Sequence, residues 1–118
     1  MNKEILKRRT KEYSLRIIKL VAALPKTMTA RVIGNQLLKS GTSVGANYRS
    51  ALRSRSKSEF IAKLGIVIEE GDESAFWLEL IIESKLLEKR LVEPLLQETN
   101  EIISIMVSSL KSIKKNQS

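Results

Sequence analysis

Three stretches of this chain carry residue types that could do chemistry. The first is Glu69, Glu70, Asp72 and Glu73, enough carboxylates for a hard-cation site or an acid–base pair. On a helix, however, these four spread around more than half of the circumference and do not converge from one face. The chain has no histidine and no cysteine, so the usual zinc ligands and the Glu-x-x-His pairs of di-iron bundles are missing. A solvated or salt-bridged face is the better reading, with Arg49 and Lys39 as the expected ion-pair partners. The second stretch, Gly41-Thr42-Ser43-Val44-Gly45, has the glycines and hydroxyls of a phosphate-cradling loop. It lacks the G-x-x-x-x-G-K-[ST] order and any preceding strand, and its serines have no histidine to take a proton. The third is the basic run Arg49, Arg53, Arg55 and Lys57, with Arg8, Arg9 and Arg16 elsewhere. Cations of this kind suit nucleic-acid phosphates. Their plainer use is to solubilise the surface and balance the acidic stretch.

The charge distribution sharpens that third signal. The chain has 118 residues and a net charge of +8, but residues 25–58 hold seven Lys/Arg and no acid, whereas residues 59–98 hold ten acidic side chains against four basic ones. Part of this must pair between neighbouring helices, and the surplus is free to meet a polyanion. The absence of cysteine fits a reducing cytoplasm. The N-terminal KRRTKEYSLR before IIKLVAAL is read as a charged, periodic helix rather than a leader, because Lys19 interrupts the apolar run. No segment approaches the ~18 uninterrupted apolar residues of a membrane span.

The elements that position these residues are helices throughout. Helix 1 is expected over Lys3–Leu24, with the stripe Leu6, Tyr13, Ile17, Leu20 and Leu24, and Pro25 stops it. Thr27 or Thr29 caps a second helix running to Arg53, with Ile33, Leu37, Ser40, Val44, Tyr48 and Ala51 inward. Its Gly41–Gly45 segment is poor in helix propensity. It admits a break, or a continuous helix whose glycines allow a close crossing; the unbroken three–four phase favours the second. Folding helix 2 back on helix 3 would set Gly41 near Gly71 and Gly45 near Gly65. A continuous helix 2 would also align Arg49, Arg53 and Lys57 in one i, i+4 row.

Helix 3 is the longest segment, expected over nearly all of Ser56–Arg90. Ser56 and Glu59 have the spacing of a capping box. Phe60, Leu64, Val67, Gly71, Ser74, Leu78 and Ile81 form one stripe; Ile61, Gly65, Ile68, Ala75, Ile82 and Leu86 form a second beside it. Phe76 and Trp77 point about 100° apart on a helix, so one of them is expected outside the core, in a subunit interface. Leu91–Glu93 are expected as a turn, with Pro94 in the first turn of helix 4. Leu96, Thr99, Ile103, Met106, Leu110 and Ile113 repeat by three and four to the C-terminus. Four antiparallel helices with short connections make an up-and-down all-α bundle in a single domain, residues 1–118.

The run from Gln36 to Leu80 resembles the core of a bacterial four-helix-bundle family, named for proteins encoded in intervening sequences of large-subunit (23S) ribosomal RNA. The family pattern couples G-T-S-[IV]-[GP]-A-N to a downstream S-x-x-[ED]-F and a W-L-E-L. Here these are Gly41–Asn47, Ser56–Phe60 and Trp77–Leu80, in order and at compatible spacing. Leu24-Pro25 also fits, and Gly71 departs from a position where alanine is more common. The resemblance implies a helical bundle that assembles as a ring-like homopentamer. The chain is also similar to the accessory variability proteins of diversity-generating retroelements, basic pentamers that bind nucleic acid and a reverse transcriptase.

These readings together lead to one expectation: a non-enzymatic, cytoplasmic homo-oligomer with no cofactor, binding RNA or DNA through a basic surface on helices 1 and 2. Arg49, Arg53, Arg55, Lys57, Arg8, Arg9 and Arg16 would make the contacts, Phe76 and Trp77 the subunit interface. A protein-interaction scaffold whose charge is merely solubilising is the alternative, and a carboxylate-metal enzyme a remote third.

Overall fold

The computed structural model describes residues 2–115 and is helical between short connections: α1 Lys3–Ala22, α2 Met28–Ala51, α3 Lys57–Glu83 and α4 Lys89–Lys115. Three of the four starts have a capping side chain. The Asn2 side chain accepts from the Ile5 N–H at 2.8 Å, Thr27 from that of Ala30, and Ser56 from that of Glu59, so each cap takes up an N–H that the first helical turn cannot satisfy. The helices pack as an up-and-down bundle measuring 49 × 21 × 20 Å. Backbones approach around the perimeter in chain order; α2 against α3 is the most extensive contact, and α4 against α1 the slightest.

The expected stripes are the core. Leu6, Tyr13, Ile17, Leu20 and Leu24 of α1 and its connection are buried, as are Leu37, Val44, Tyr48 and Ala51 of α2. Leu64, Val67, Leu78 and Ile81 are buried on α3, and its second stripe, at Ile68 and Ile82, packs half-buried against them. On α4 the expected stripe is corrected: Val92, Leu95, Thr99, Ile102 and Met106 are buried, whereas Leu96, Ile103, Leu110 and Ile113 lie half-buried at its edge, because the inward face passes through Leu95 and Ile102, one residue earlier along the helix. At mid-height the core turns polar, with one hydroxyl from each helix. Tyr13 and Thr99 meet at 2.6 Å, and because the Thr99 hydroxyl donates to the Leu95 carbonyl, the phenol is the donor between them. The Ser74 hydroxyl lies 3.0 Å from that of Ser40 and within reach of the Glu70 carbonyl. All four residues are almost fully buried, and the hydrogen bonds remove the cost of putting hydroxyls there.

Helix 2 is continuous through Gly41–Gly45, as its phase indicates. The glycines serve other crossings than the pairing expected from α2 and α3. A Cβ on Gly41 would stand 2.8 Å from two carbons of Ile17 in α1, one on Gly45 3.0 Å from the Thr10 carbonyl oxygen, and one on Gly71 2.8 Å from Ile103 in α4. Gly65 faces nothing within 4 Å. Thus Gly41 and Gly45 bring α1 close to α2, Gly71 brings α4 close to α3, and small hydroxyl residues rather than glycines line the α2–α3 contact.

The end of α3 corrects the reading of one helix to Arg90. Ser84 closes the helix at Glu83, Lys85 takes the left-handed conformation (φ 60°), and the Leu86 and Lys85 N–H groups bond to the Ile81 and Ile82 carbonyls, both at 3.1 Å. This is a Schellman termination without its usual glycine. As a result α4 begins at Lys89, and Pro94 sits in its second turn rather than its first. There its ring removes the donor that the Arg90 carbonyl would otherwise take.

Two stability predictions follow from this packing. Gly41→Leu drives a side chain into Ile17 and should destabilise by about 1–3 kcal/mol. Gly65→Ala meets no neighbour and should stabilise by roughly 0.5–1 kcal/mol through helix propensity. Thermal melts of the two variants must move in opposite directions.

The second concerns Tyr13. Burial pushes its phenol from 10.0 up to about 12, against the opposing hydrogen bonds of Thr99 and Ser74. The folded value lies above the unfolded one, so the stabilisation is whole below pH 10 and is lost as pH rises through about 12. Denaturant midpoints measured from pH 9 upward should fall less steeply in Tyr13→Phe than in the parent, the remaining slope including Tyr48, also raised by burial.

Candidate nucleic-acid interface

Three surfaces gather most of the cations of the first half; Lys26 and Arg31 line a further groove at the α1–α2 connection. Along the α2-facing flank of α1, Lys3, Lys7 and Lys11 recur every fourth residue, one helical turn apart (~6 Å). Lys7 and Lys11 share a cleft of about 300 Å³ with Arg49 of α2, its wall completed by Ser14 and its floor by Gly45 and Ala46. At the end of the bundle the α2–α3 connection places Arg53, Arg55 and Lys57 in exposed positions. Lys3 reaches the same end, its ammonium 5.3 Å from the centre of the Phe60 ring, and Lys3 and Lys57 line a groove there with Ser54, Ser56 and Ile113. On the opposite flank of α1, Arg16 and Lys19 rim an apolar groove of Leu20, Leu87, Leu91 and Leu95.

Several expected placements change accordingly. Arg49, Arg53 and Lys57 do not form one helical row, because α2 stops at Ala51, Arg53 lies in the turn, and Lys57 opens α3. Arg9 turns to α4, where its guanidinium donates from two nitrogens to the two carboxylate oxygens of Glu98 at 2.7 and 2.6 Å, with Glu101 3.7 Å away. This bidentate hydrogen bonding to Glu98 raises the already high pKa of Arg9 and fixes its fork within the bundle. Arg8 and Arg16 are exposed. Lys7 and Lys11 are the contributors that reading each helix separately misses. The available signal was their i, i+4 spacing on the flank that the glycines of α2 approach.

The acidic residues keep apart from these cations. Among the described residues the ion pairs within 4.0 Å join Arg9 to Glu98 and Glu101, Lys89 to Glu93, and Arg90 to Glu88. The expected pairs from Lys39 and Arg49 to α3 do not form at that distance. Glu69, Asp72 and Glu73 point outward, and no acidic cluster among the described residues could hold a metal ion. Glu70, partly buried, has its pKa raised by desolvation and then by Glu73 and Glu69, with Lys39 opposing. Beside these carboxylates Phe76 is 51% exposed, its ring meeting Trp77 edge-on with centroids 5.1 Å apart. Trp77 is half-buried against the core and donates its indole N–H to Glu73 at 3.3 Å. Of the two aromatics, Phe76 is the one the bundle leaves uncovered.

Comparison with known proteins agrees with this geometry. The family model of the 23S rRNA-intervening sequence protein matches residues 3–108. The chain belongs to that family. Within it, a crystal structure from Bacteroides thetaiotaomicron, described as a protein with unknown function from the S23 ribosomal protein family, is 33% identical, with a TM-score of 0.87 over 94% of this chain and 99% of that one. No curated protein matches. Family membership therefore carries the fold. The motifs on which the sequence resemblance rests, Gly41–Asn47, Ser56–Phe60 and Trp77–Leu80, occupy the middle of α2, the cap of α3 and its C-terminal part, and include Gly41, Gly45 and Phe60 but neither Lys7 nor Lys11. Among the described residues no helix is long and apolar enough to cross a membrane.

Proposed function

We propose that this protein is a non-enzymatic, cytoplasmic homo-oligomer that binds RNA or DNA through the α1–α2 face and the adjoining α2–α3 connection. One observation carries the reading: Lys7, Lys11, Arg49, Arg53, Arg55 and Lys57 have no carboxylate within ion-pair distance among the described residues, although α3 is rich in them. Cations held apart from the chain's own acids keep their full field for an external polyanion. They contact phosphates, which position a nucleic acid without reading its sequence. Binding is therefore tight at low salt, weakly selective, and steeply weakened as salt rises, because bound counterions are released.

In a titration against one RNA oligonucleotide at several salt concentrations, Lys7→Ala and Arg53→Ala should each weaken every sequence alike and lower the salt slope by about one. Arg9→Ala should lower thermal stability and leave that slope unchanged, since its guanidinium is committed to Glu98. Absence of binding at low salt would favour a protein-interaction scaffold instead.

The outer face of α3 supports self-association. Ile66 and Phe76 are exposed there, about three turns apart with Glu69, Asp72 and Glu73 between them, two apolar positions that a subunit contact can cover. In the ring-like assembly proposed here, Phe76 and Trp77 lie in that contact. Light scattering at micromolar concentration should return a mass of several subunits, reduced in Phe76→Glu; a monomeric parent would end this reading.

A further inference from the structure

The cleft between α1 and α2 gathers three cations from two helices around one space of about 300 Å³. Lys7 and Lys11 enter it from successive turns of α1 and Arg49 from α2, with the Ser14 hydroxyl on the wall between them. Gly45 and Ala46 line it as well, and neither carries a side chain larger than a methyl group. No carboxylate lines it. Gly45 is what makes it: a Cβ there would stand 3.0 Å from the Thr10 carbonyl oxygen and 3.2 Å from Ser14 Oγ. A side chain there would require this crossing to give by a few tenths of an ångström. The Thr10 carbonyl accepts from the Ser14 hydroxyl at 3.2 Å.

We infer that this cleft seats a terminal phosphate monoester, so that within the nucleic-acid binding proposed above the protein holds phosphorylated chain ends in preference to internal phosphates. The inference rests on that proposed reading and adds the chemical group. A monoester carries about −1.5 to −2 charge near pH 7 and presents three strong acceptor oxygens. Two ammonium groups and a guanidinium that takes two oxygens at once match that demand. An internal diester has a single charge and must leave in both directions, which suits the exposed Arg53, Arg55 and Lys57 of the connection better than a cleft where Lys7, Lys11 and Arg49 converge on one space.

The test uses the full chain and three single-stranded RNA 12-mers of one sequence, ending in a 5′-phosphate, a 3′-phosphate or hydroxyls at both ends. Affinities are measured by fluorescence anisotropy at a salt concentration that suppresses binding along the exposed connection. At least one phosphorylated end should bind on the order of tenfold tighter than the hydroxyl form, and this advantage should shrink as pH falls through about 6, where the monoester takes up its second proton. Lys11→Gln and Arg49→Gln, both at exposed positions and checked for unchanged melting, should weaken all three oligonucleotides through the loss of one cation and, in addition, remove the advantage, so that phosphorylated and hydroxyl ends bind alike. Equal affinity for all three oligonucleotides overturns the inference and leaves nucleic-acid binding standing. Failure of all three to bind even at low salt overturns both. An advantage that survives in both variants places the end group elsewhere and overturns the cleft assignment.

Discussion

Four buried hydroxyls set the register on which the rest of this bundle depends. Aliphatic stripes at three–four spacing tolerate sliding, because one Leu or Ile layer packs much like the next. Tyr13, Ser40, Ser74 and Thr99 do not. A shift of one helical turn would leave the phenol facing methyl groups and the hydroxyls without partners. Each such hydrogen bond contributes only about 1 kcal/mol net, but a buried hydroxyl stranded without one costs roughly 1–3 kcal/mol. This register brings Gly41 onto Ile17, Gly71 onto Ile103 and Gly45 onto the Thr10 carbonyl. The cleft of Lys7, Lys11 and Arg49 is a by-product of the same alignment, since it exists only where Gly45 lets α2 approach α1.

Charge is segregated by helix and then left segregated. The segment with seven cations and no acid lies beside α3, yet the two sets mostly face away from each other around the perimeter. Arg9 is the exception in α1, held by Glu98 across the closing seam. A protein stabilised chiefly by its own ion pairs would have interdigitated them. Here the fold rests on aliphatic burial, and the charges remain as an external dipole, cationic on α1–α2 and anionic on α3. Two faces of opposite sign on one small body favour association with polyanions on one side and with a cationic or like-built partner on the other.

How much of this the sequence discloses depends on whether a feature is periodic. Burial follows the stripes, so Leu37, Val44, Leu64, Leu78 and Met106 can be read off their spacing, and so can the caps at Thr27 and Ser56. The end of α3 cannot. A left-handed termination is usually announced by glycine, and here Lys85 adopts it, leaving apolar Leu86 and Leu87 to mimic a continuing helix. The glycines announce close approach but not to whom: a missing Cβ is equally consistent with α1, α3 or α4 as the neighbour. The basic surface was only half legible for a related reason. Arg49, Arg53 and Lys57 are evenly spaced along the chain but are separated by a helix end, whereas Lys7, Lys11 and Arg49 are distant in sequence and meet only once two helices are docked.

The slight contact between α1 and α4 has a consequence for the order in which the chain assembles. Three of the four helix interfaces join neighbours in sequence and cost only short loops to close. The fourth must bring together groups far apart along the chain, Tyr13 with Thr99 and Arg9 with Glu98, separated by 86 and 89 residues. Joining them closes the longest loop in the chain, and contacts of high sequence separation are the slower ones to form. That long-range joint is held by a phenol and an ion pair in place of a broad apolar face. Helix α1 itself packs on α2 almost as extensively as α4 packs on α3, and its Tyr13 and Ile17 are among the largest fully buried side chains. The α1–α2 cleft therefore lasts as long as the core does.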